Sequence, residues 1–299
     1  ASGLRCAKLT VRAVCWRATD PLPASETSAA RAKKSVDRTL AWADLQLRHM
    51  RTAEPAQDAD GAEQQRPAKR ARAAEAGDEA GEEGQGKEEE APYIFGAVQG
   101  GGVEAERLRC AAALAAAPEL TGFVLSGFGI GEAPSQRDKL IRAVVGALPP
   151  EKPRVVNHLG SPEEVLRCVV AGVDLFGTDY PFVQAAAGCA LVFDYDGRGA
   201  GEAGGGGEGA VLAGLQQINL HDAAFVADRG RLTEGSAVEY SRAYIHHLLA
   251  THELLGFILL ATHNLQHYLS FFAAVRARVR DGTIEEYAAA MLPPPPAST

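Results

Sequence analysis

Hydrophobic residues first recur at helical spacing in the range 35–50. Val36, Leu40, Ala43 and Leu47 follow one another at steps of four, three and four residues, which places an apolar stripe along one face of a helix. The side chain of Ser35 suits an N-cap, so the pattern predicts a helix that begins there.

After Pro92 the pattern changes to short apolar segments that alternate with amphipathic ones. Four of the apolar segments predict strands, and each runs into a glycine-rich or polar turn: 93–99, 122–126, 154–159 and 173–176. The amphipathic segments predict helices at 104–117, at 137–148 and from Ser161, where Ser, Pro and Glu follow in the order of a capped helix. Strands that alternate with helices at this spacing indicate parallel βαβ units.

The last third of the chain is predicted to be mainly helical. A further strand is predicted at 191–196, and a glycine-rich loop follows at 197–209. From Ser241 to Gly282 the apolar pattern is helical, and Gly256 predicts either a break or a close packing contact. Four or five strands are fewer than the eight of a closed α/β barrel, so either the fold is smaller or an N-terminal part is missing from this chain.

The stretch Ala53–Glu90 interrupts these patterns. It holds 12 acidic and 5 basic residues but few large apolar ones, so we interpret it as a disordered insertion. Its net charge of −7 accounts for most of the chain's −8, and the rest of the chain is close to neutral. Charge therefore neither supports nor excludes an RNA partner.

Cysteine usage and hydropathy indicate a reducing compartment. The five cysteines are scattered without a close pair, which does not predict a disulfide framework. No secretory signal is apparent, and the longest apolar run, Leu254–Ala261, is far shorter than the roughly 20 residues of a membrane helix. We therefore predict a cytoplasmic protein without membrane insertion.

Six segments, in order, resemble the tRNA-guanine transglycosylase family. They are 35–40 (SVDRTL), 95–101 (FGAVQGG), 125–132 (LSGFGIGE), 152–176 with its Gly-Ser-Pro turn, 242–248 (RAYIHHL) and 263–265 (HNL). The resemblance implies a TIM-type (β/α)8 barrel, incomplete at the N-terminus, with C-terminal helices. It implies four regions: a partial N-terminal barrel segment (1–52), the acidic insert (53–90), a C-terminal barrel part with its helices (91–292) and a tail (293–299).

In catalytic members of this family, an aspartate in a Val-Asp-x-Phe-Asp motif attacks the ribose and holds it covalently. The matching segment 173–177 reads VDLFG, so Gly177 stands at the nucleophile position and no residue is predicted to be catalytic. The resemblance therefore implies a non-catalytic accessory subunit of queuine tRNA-ribosyltransferase. Such a subunit forms a heterodimer with a catalytic subunit that exchanges guanine for queuine at the wobble position of tRNA. The accessory subunit contacts tRNA through that complex. The resemblance implies a cytoplasmic location, or one peripheral to the mitochondrial outer membrane.

An active transglycosylase or nucleosidase is the alternative, with Asp179 or Asp174 as a displaced nucleophile. A shift of two residues along a strand end moves a side chain by about 6–7 Å. Reacting atoms must come within about 3–3.5 Å of each other. A solvent-exposed loop aspartate is therefore the favoured interpretation of Asp179.

Two glycine-rich turns match the region that contacts the exchanged base in the family. Gln99, Gly100 and Gly101 follow one predicted strand, and Gly127 follows the next. A glutamine amide can pair with a purine-like edge, and glycine lets the backbone approach a planar ligand. We predict that these residues are remnants of a base-binding site; the alternative is that they only shape the turns.

The family also binds structural zinc through Cys-x-Cys-x-x-Cys and a later histidine. His263 stands at the histidine position, but 236–240 (SAVEY) replaces the cysteine loop, and no cysteine follows Cys189. One histidine cannot hold structural zinc, so we predict no zinc and no other cofactor. The other histidines of this region are interpreted as helix-face or core residues: His246, His247 and His252.

Overall fold

The computed structural model describes residues 13–14, 28–52, 93–195 and 217–292. Its strands are β1 (Ala13–Val14), β2 (Ile94–Val98), β3 (Gly122–Leu125), β4 (Arg154–Asn157), β5 (Leu175–Gly177), β6 (Cys189–Leu191) and β7 (Gln217–Asn219). Its α-helices are α1 (Ala29–Thr52), α2 (Glu104–Ala115), α3 (Pro134–Ala147), α4 (Pro162–Val170), α5 (Tyr180–Ala186), α6 (Arg242–Ala250), α7 (Leu254–Asp281) and α8 (Ile284–Met291). The predicted acidic insert (53–90), glycine-rich loop (197–209) and tail (293–299) lie outside the described residues.

Strands β1 to β5 form one parallel sheet in the order of the chain. Ala97 of β2 pairs with Val124 of β3, Val124 with Val155 of β4, and Val155 with Leu175 of β5. Parallel neighbours need a crossover, and α2, α3 and α4 supply one between each pair of strands from β2 to β5. Helix α1 packs on α2, α2 on α3 and α3 on α4, so the helices follow the same order as the strands. The prediction of parallel βαβ units is confirmed, and in the described residues this sheet has five strands.

One hydrophobic core lies between this sheet and its helices. Alternate residues of the strands, such as Ile94, Val98 and Phe123, are buried against apolar residues of the helices. Burial of each large apolar side chain contributes roughly 1.5–3 kcal/mol. The strands also approach closely at Gly122, where an added Cβ would overlap the ring of Phe95, so glycine is required by the packing at this position.

Helix α1 begins at Ala29, and the predicted start at Ser35 is wrong. The preceding segment, AARAKK, consists of strong helix formers, which extend the helix towards the N-terminus. Ser35 is therefore an interior residue, buried against the sheet, and its hydroxyl donates a hydrogen bond of 3.1 Å to Oε1 of Gln99. The predicted apolar stripe is confirmed, because Val36 and Leu47 are buried in the core of the sheet.

The region predicted to be helical, 241–282, forms two helices with a tight turn between them. Helix α6 ends at Ala250 and α7 begins at Leu254, and His252 takes a left-handed conformation with φ of 55° in the turn. Gly256 makes the close packing contact, since an added Cβ would lie 3.2 Å from Cβ of Leu248 on α6. Among the described residues, no helix is long and apolar enough to cross a bilayer.

Helix α7 is joined to the preceding part of the chain by the buried amide of Asn264. Its Oδ1 accepts a hydrogen bond from the N–H of Leu191 at 2.9 Å. Its Nδ2 donates to the carbonyl of Cys189 at 2.9 Å and to that of Pro181 at 3.2 Å. One side chain thus satisfies three backbone groups of α5, β6 and their connection, which fixes α7 against them.

Candidate functional site

The glycines singled out in the sequence lie in turns at the carboxyl edge of the parallel sheet. The carboxyl ends of parallel strands meet at one edge, so the turn after β2 lies beside the turn after β3. The backbone at Gly100, Gly101 and Gly127 has φ of 148°, 56° and 77°, a region in which an L side chain is strained. Glycine is therefore needed for the shape of these turns, whatever they bind.

Arg107 of α2 holds the two turns together. Its side chain is fully buried, with Nε donating to the carbonyl of Gly101 at 2.6 Å. Its two terminal nitrogens donate to the carbonyls of Ser126 at 2.9 Å and Gly127 at 3.2 Å. The guanidinium also lies over the ring of Phe128, with 3.9 Å between its central carbon and the ring centroid. Burial lowers the pKa of Arg107 to about 10, so the group stays charged at neutral pH.

The role of Arg107 was not predicted, although the sequence contains a signal for it. It shares one helical face with Cys110, Ala111 and Leu114, which are all buried. A charged residue in the apolar stripe of a helix requires buried hydrogen-bonding partners. The sequence cannot identify those partners, because they lie on turns of two different strands.

A second buried charge shapes the rest of the turn after β3. The carboxylate of Glu132 accepts hydrogen bonds from the N–H groups of Gly129 at 2.6 Å and Ile130 at 2.9 Å. Burial alone raises the pKa of Glu132, but these hydrogen bonds outweigh it and the net pKa is lowered. Arg137 lies 3.6 Å from Glu132 and 2.9 Å from Glu164, so an ionic network links this turn to α4.

Gln99 does not present its amide oxygen freely at the edge. The residue is buried, and Oε1 accepts the hydrogen bond from Ser35 of α1. Its backbone N–H contacts the sulfur of Cys110 at 3.5 Å. The base-binding role of Gln99, Gly100, Gly101 and Gly127 stays a prediction, and the geometry assigns Gln99 a structural contact as well.

Gly177 ends β5 at the same carboxyl edge, in register with Asn157 of β4. An added Cβ at Gly177 would overlap Oδ1 of Asn157. The carbonyl of Gly177 accepts a hydrogen bond from the N–H of His158 at 2.9 Å. The amide of Asn157 therefore occupies the space that a side chain at position 177 would need, which the sequence did not predict.

The two alternative aspartates lie at opposite ends of β5. Asp174 precedes the strand at its amino end, and its Oδ2 accepts a hydrogen bond of 2.9 Å from the N–H of Arg154. Asp179 follows the strand, is exposed, and stands at the N-cap of α5. Asp174 is thus on the edge away from Gly177, and only Asp179 shares the edge with it.

His263 of α7 is buried with both ring nitrogens in hydrogen bonds. Nδ1 lies 2.8 Å from Oγ of Ser236, and Nε2 lies 2.8 Å from the carbonyl oxygen of Leu191. Burial lowers the pKa of His263. Structural zinc needs four ligands, and the described residues contain no group of three or more His, Cys, Asp or Glu side chains placed to hold a metal ion. The residues around His263 do not fit zinc.

Comparison with known protein families identifies the chain. The sequence profile of the family described as queuine tRNA-ribosyltransferase matches residues 13–294, which is nearly the whole chain. The chain belongs to the queuine tRNA-ribosyltransferase family. The resemblance drawn from six short segments is therefore confirmed.

Curated relatives within the queuine tRNA-ribosyltransferase family carry two names. The accessory subunit 2 of Xenopus tropicalis is 37% identical over 283 residues, which cover 86% of this chain and 60% of that protein. The human accessory subunit 2 is 31% identical over 285 residues, which cover 87% of this chain and 60% of that protein. The Brucella suis protein named queuine tRNA-ribosyltransferase is 31% identical over 200 residues, which cover 66% of this chain and 47% of that protein. The chain spans about 60% of the length of these accessory-subunit relatives.

Proposed function

We propose that this chain acts as a non-catalytic accessory subunit in the queuosine modification of tRNA. The observation that carries the proposal is Gly177, which has no side chain to attack a ribose, with the amide of Asn157 in the space that such a side chain would need. The relatives named accessory subunit 2 support the same role.

We propose the cytoplasm, or the periphery of the mitochondrial outer membrane, as the location of the protein. The buried free thiols of Cys110, Cys168 and Cys189 suit a reducing compartment.

We propose that the five-stranded sheet is part of a (β/α)8 barrel. In a doubly wound sheet the strand order reverses and helices cover both faces. Here the order is sequential from β1 to β5, and the helices pack on one another in the same sequence. Right-handed crossovers with this order place the helices on one face, as in a barrel.

We propose that the turns bearing Gln99, Gly100, Gly101 and Gly127 keep the shape of a base-binding edge without its chemistry. The hydrogen bonds of Arg107 hold the carbonyls of Gly101 and Gly127 in place, so the turns are rigid without a ligand. A rigid edge lowers the entropic cost of seating a planar base.

We propose that the catalytic subunit docks on the surface of α6. Tyr240 and Tyr244 stack at 4.9 Å between ring centroids, yet they remain 49% and 38% exposed. Tyrosines are enriched among the residues that dominate binding energy at interfaces. Leu254 and Ile258 on the neighbouring α7 are also exposed, which extends the apolar surface.

The first prediction concerns activity. The chain alone is expected to incorporate no labelled guanine or queuine into tRNA, and Gly177→Asp is expected to restore little activity because the new side chain must displace the amide of Asn157. Incorporation is measured with purified tRNA, and circular dichroism verifies that each variant is folded. A catalytic family member serves as the positive control. Incorporation by the unaltered chain that disappears in Asp179→Asn would instead support the displaced-nucleophile alternative.

The second prediction concerns the partner. The chain is expected to co-purify with a tagged catalytic subunit, and Tyr244→Ala is expected to weaken the complex about 30-fold, as loss of an interface anchor of about 2 kcal/mol does. Calorimetry or surface plasmon resonance measures the Kd. Trp42→Ala is the matched control, because it removes a similarly exposed ring from α1. Absence of any complex at micromolar concentration contradicts the accessory role, whereas a complex that is insensitive to Tyr244→Ala contradicts only the docking surface.

A further inference from the structure

The loop before α6 is fastened to α7 by two side chains one turn apart. Both polar atoms of the Gln266 side-chain amide, on α7, bind the loop. Oε1 accepts a hydrogen bond from the N–H of Ala237 at 2.7 Å, and Nε2 donates one to the carbonyl of Gly235 at 2.9 Å. His263, three residues earlier on α7, contacts Oγ of Ser236 at 2.8 Å. These three side chains, Ser236, His263 and Gln266, are called the loop clasp below.

The hydrogen bonds of the loop clasp fix the tautomer of His263. The carbonyl of Leu191 can only accept, so Nε2 carries the proton and donates to it. Nδ1 is then the acceptor, and the hydroxyl of Ser236 donates to it. The oxygen of Ser236 accepts in turn from the N–H of Val238 at 3.1 Å. Every polar atom in this chain of hydrogen bonds has a partner, and burial lowers the pKa of His263, which favours the neutral ring.

The geometry of the loop clasp leaves no position for the zinc ion that the family resemblance implies. A zinc ligand must offer a ring nitrogen lone pair, but the one lone pair of neutral His263 accepts from Ser236. The thiol nearest in sequence before the loop, Cys189, contacts the carbonyl of Ala187 instead. The Ser236–His263 pair is not a hydrolytic dyad either, because both residues are buried and a substrate has no access to the hydroxyl.

We propose that the loop clasp replaces structural zinc in this chain. In the family pattern, zinc joins a cysteine loop to a histidine of the following helical region. Here hydrogen bonds of Ser236 and Gln266 join the loop that replaces the cysteine loop to α7, and the apolar side chains of Leu232 and Val238 are buried nearby. The fold of this region therefore needs no metal ion.

The proposal makes a prediction about metal content. The purified full chain is expected to contain well under one zinc ion per molecule, and treatment with EDTA is expected to shift its melting temperature by no more than about 1 °C. Inductively coupled plasma mass spectrometry and a thermal melt measure the two quantities. One tightly held zinc per chain, whose removal lowers the melting temperature, overturns the proposal, because loss of a structural zinc unfolds its site.

Hydrogen exchange tests the loop clasp itself. In Ser236→Ala, amides of the segment 233–240 are expected to exchange about 5- to 10-fold faster, the change that loss of a buried hydrogen bond gives. Thr262→Ala is the matched control, because it removes a hydroxyl next to His263 that bonds only to the carbonyl of Ile258 in its own helix. If the amides of this segment exchange at the same rate in Ser236→Ala as in Thr262→Ala, the loop clasp is contradicted. Gln266→Ala provides a second variant, with the same acceleration expected at Ala237.

Discussion

Arg107→Met is expected to lower the free energy of unfolding by about 3–5 kcal/mol. Methionine fills much of the same volume, but it leaves the buried carbonyl of Gly101 and the half-buried carbonyls of Ser126 and Gly127 without this donor. Each unsatisfied buried acceptor costs about 1–3 kcal/mol. Because small domains are stable by only about 5–15 kcal/mol, the loss is a large share of the total. Urea denaturation of the purified chain measures it.

Two further variants test whether the three hydrogen bonds of Arg107 account for the loss of stability. Arg109→Met is the matched control on the same helix, since Arg109 is partly exposed and pairs with Glu106 and Asp37 at the surface. It is expected to cost under about 1 kcal/mol. Arg107→Lys keeps the charge but cannot reach three carbonyls, so it is expected to lose more than half as much as Arg107→Met. Equal stability of Arg107→Met and Arg109→Met would contradict the assignment.

Asn264→Ala is expected to lower the free energy of unfolding by about 3–4 kcal/mol. The amide of Asn264 satisfies the N–H of Leu191 and the carbonyls of Cys189 and Pro181, all in a buried position. Alanine leaves these three groups unpaired and opens a small cavity beside them. Denaturation followed by circular dichroism measures the change, with a lower denaturation midpoint as the expected readout.

Asn219→Ala is the matched control for Asn264→Ala. The side chain of Asn219, at the exposed end of β7, accepts a hydrogen bond from the N–H of His221. Its replacement is expected to change stability by no more than about 0.5 kcal/mol. If the two alanine variants were equally stable, the joint between α7 and β6 would rest on apolar packing rather than on Asn264.

Local patterns predicted the elements that carry strong local signals. Strands β2 to β5 and the helices between them appear where apolar segments alternate, and α4 has the capping box that the sequence at Ser161 predicted. The start of α1 was missed because Ser35 has the side chain of an N-cap, whereas its hydroxyl serves a contact 64 residues away with Gln99. The turn between α6 and α7 was not placed because its residues, 251–253 (THE), include neither glycine nor proline. Spacing along the chain cannot reveal such long-range contacts.

In the candidate site, too, local motifs could be recognised from the sequence, whereas long-range contacts could not. Gly177 could be assigned from a short motif, since a missing side chain is visible in the sequence itself. Arg107 and Asn157 could not be assigned roles, because each acts on residues of another strand or turn. His263 could be matched to the family's histidine position from the sequence, which stays a prediction, but its partner Ser236 emerged only from the folded chain.

The overlap between position 177 and Asn157 makes the two sites interdependent under mutation. An aspartate restored at 177 would meet the Asn157 amide, so its effect would depend on whether a smaller residue had first replaced Asn157. Oδ1 is the end of a flexible side chain, so the Asn157 amide can shift to make room, and substitutions at 157 and 177 are expected to be non-additive in their effects.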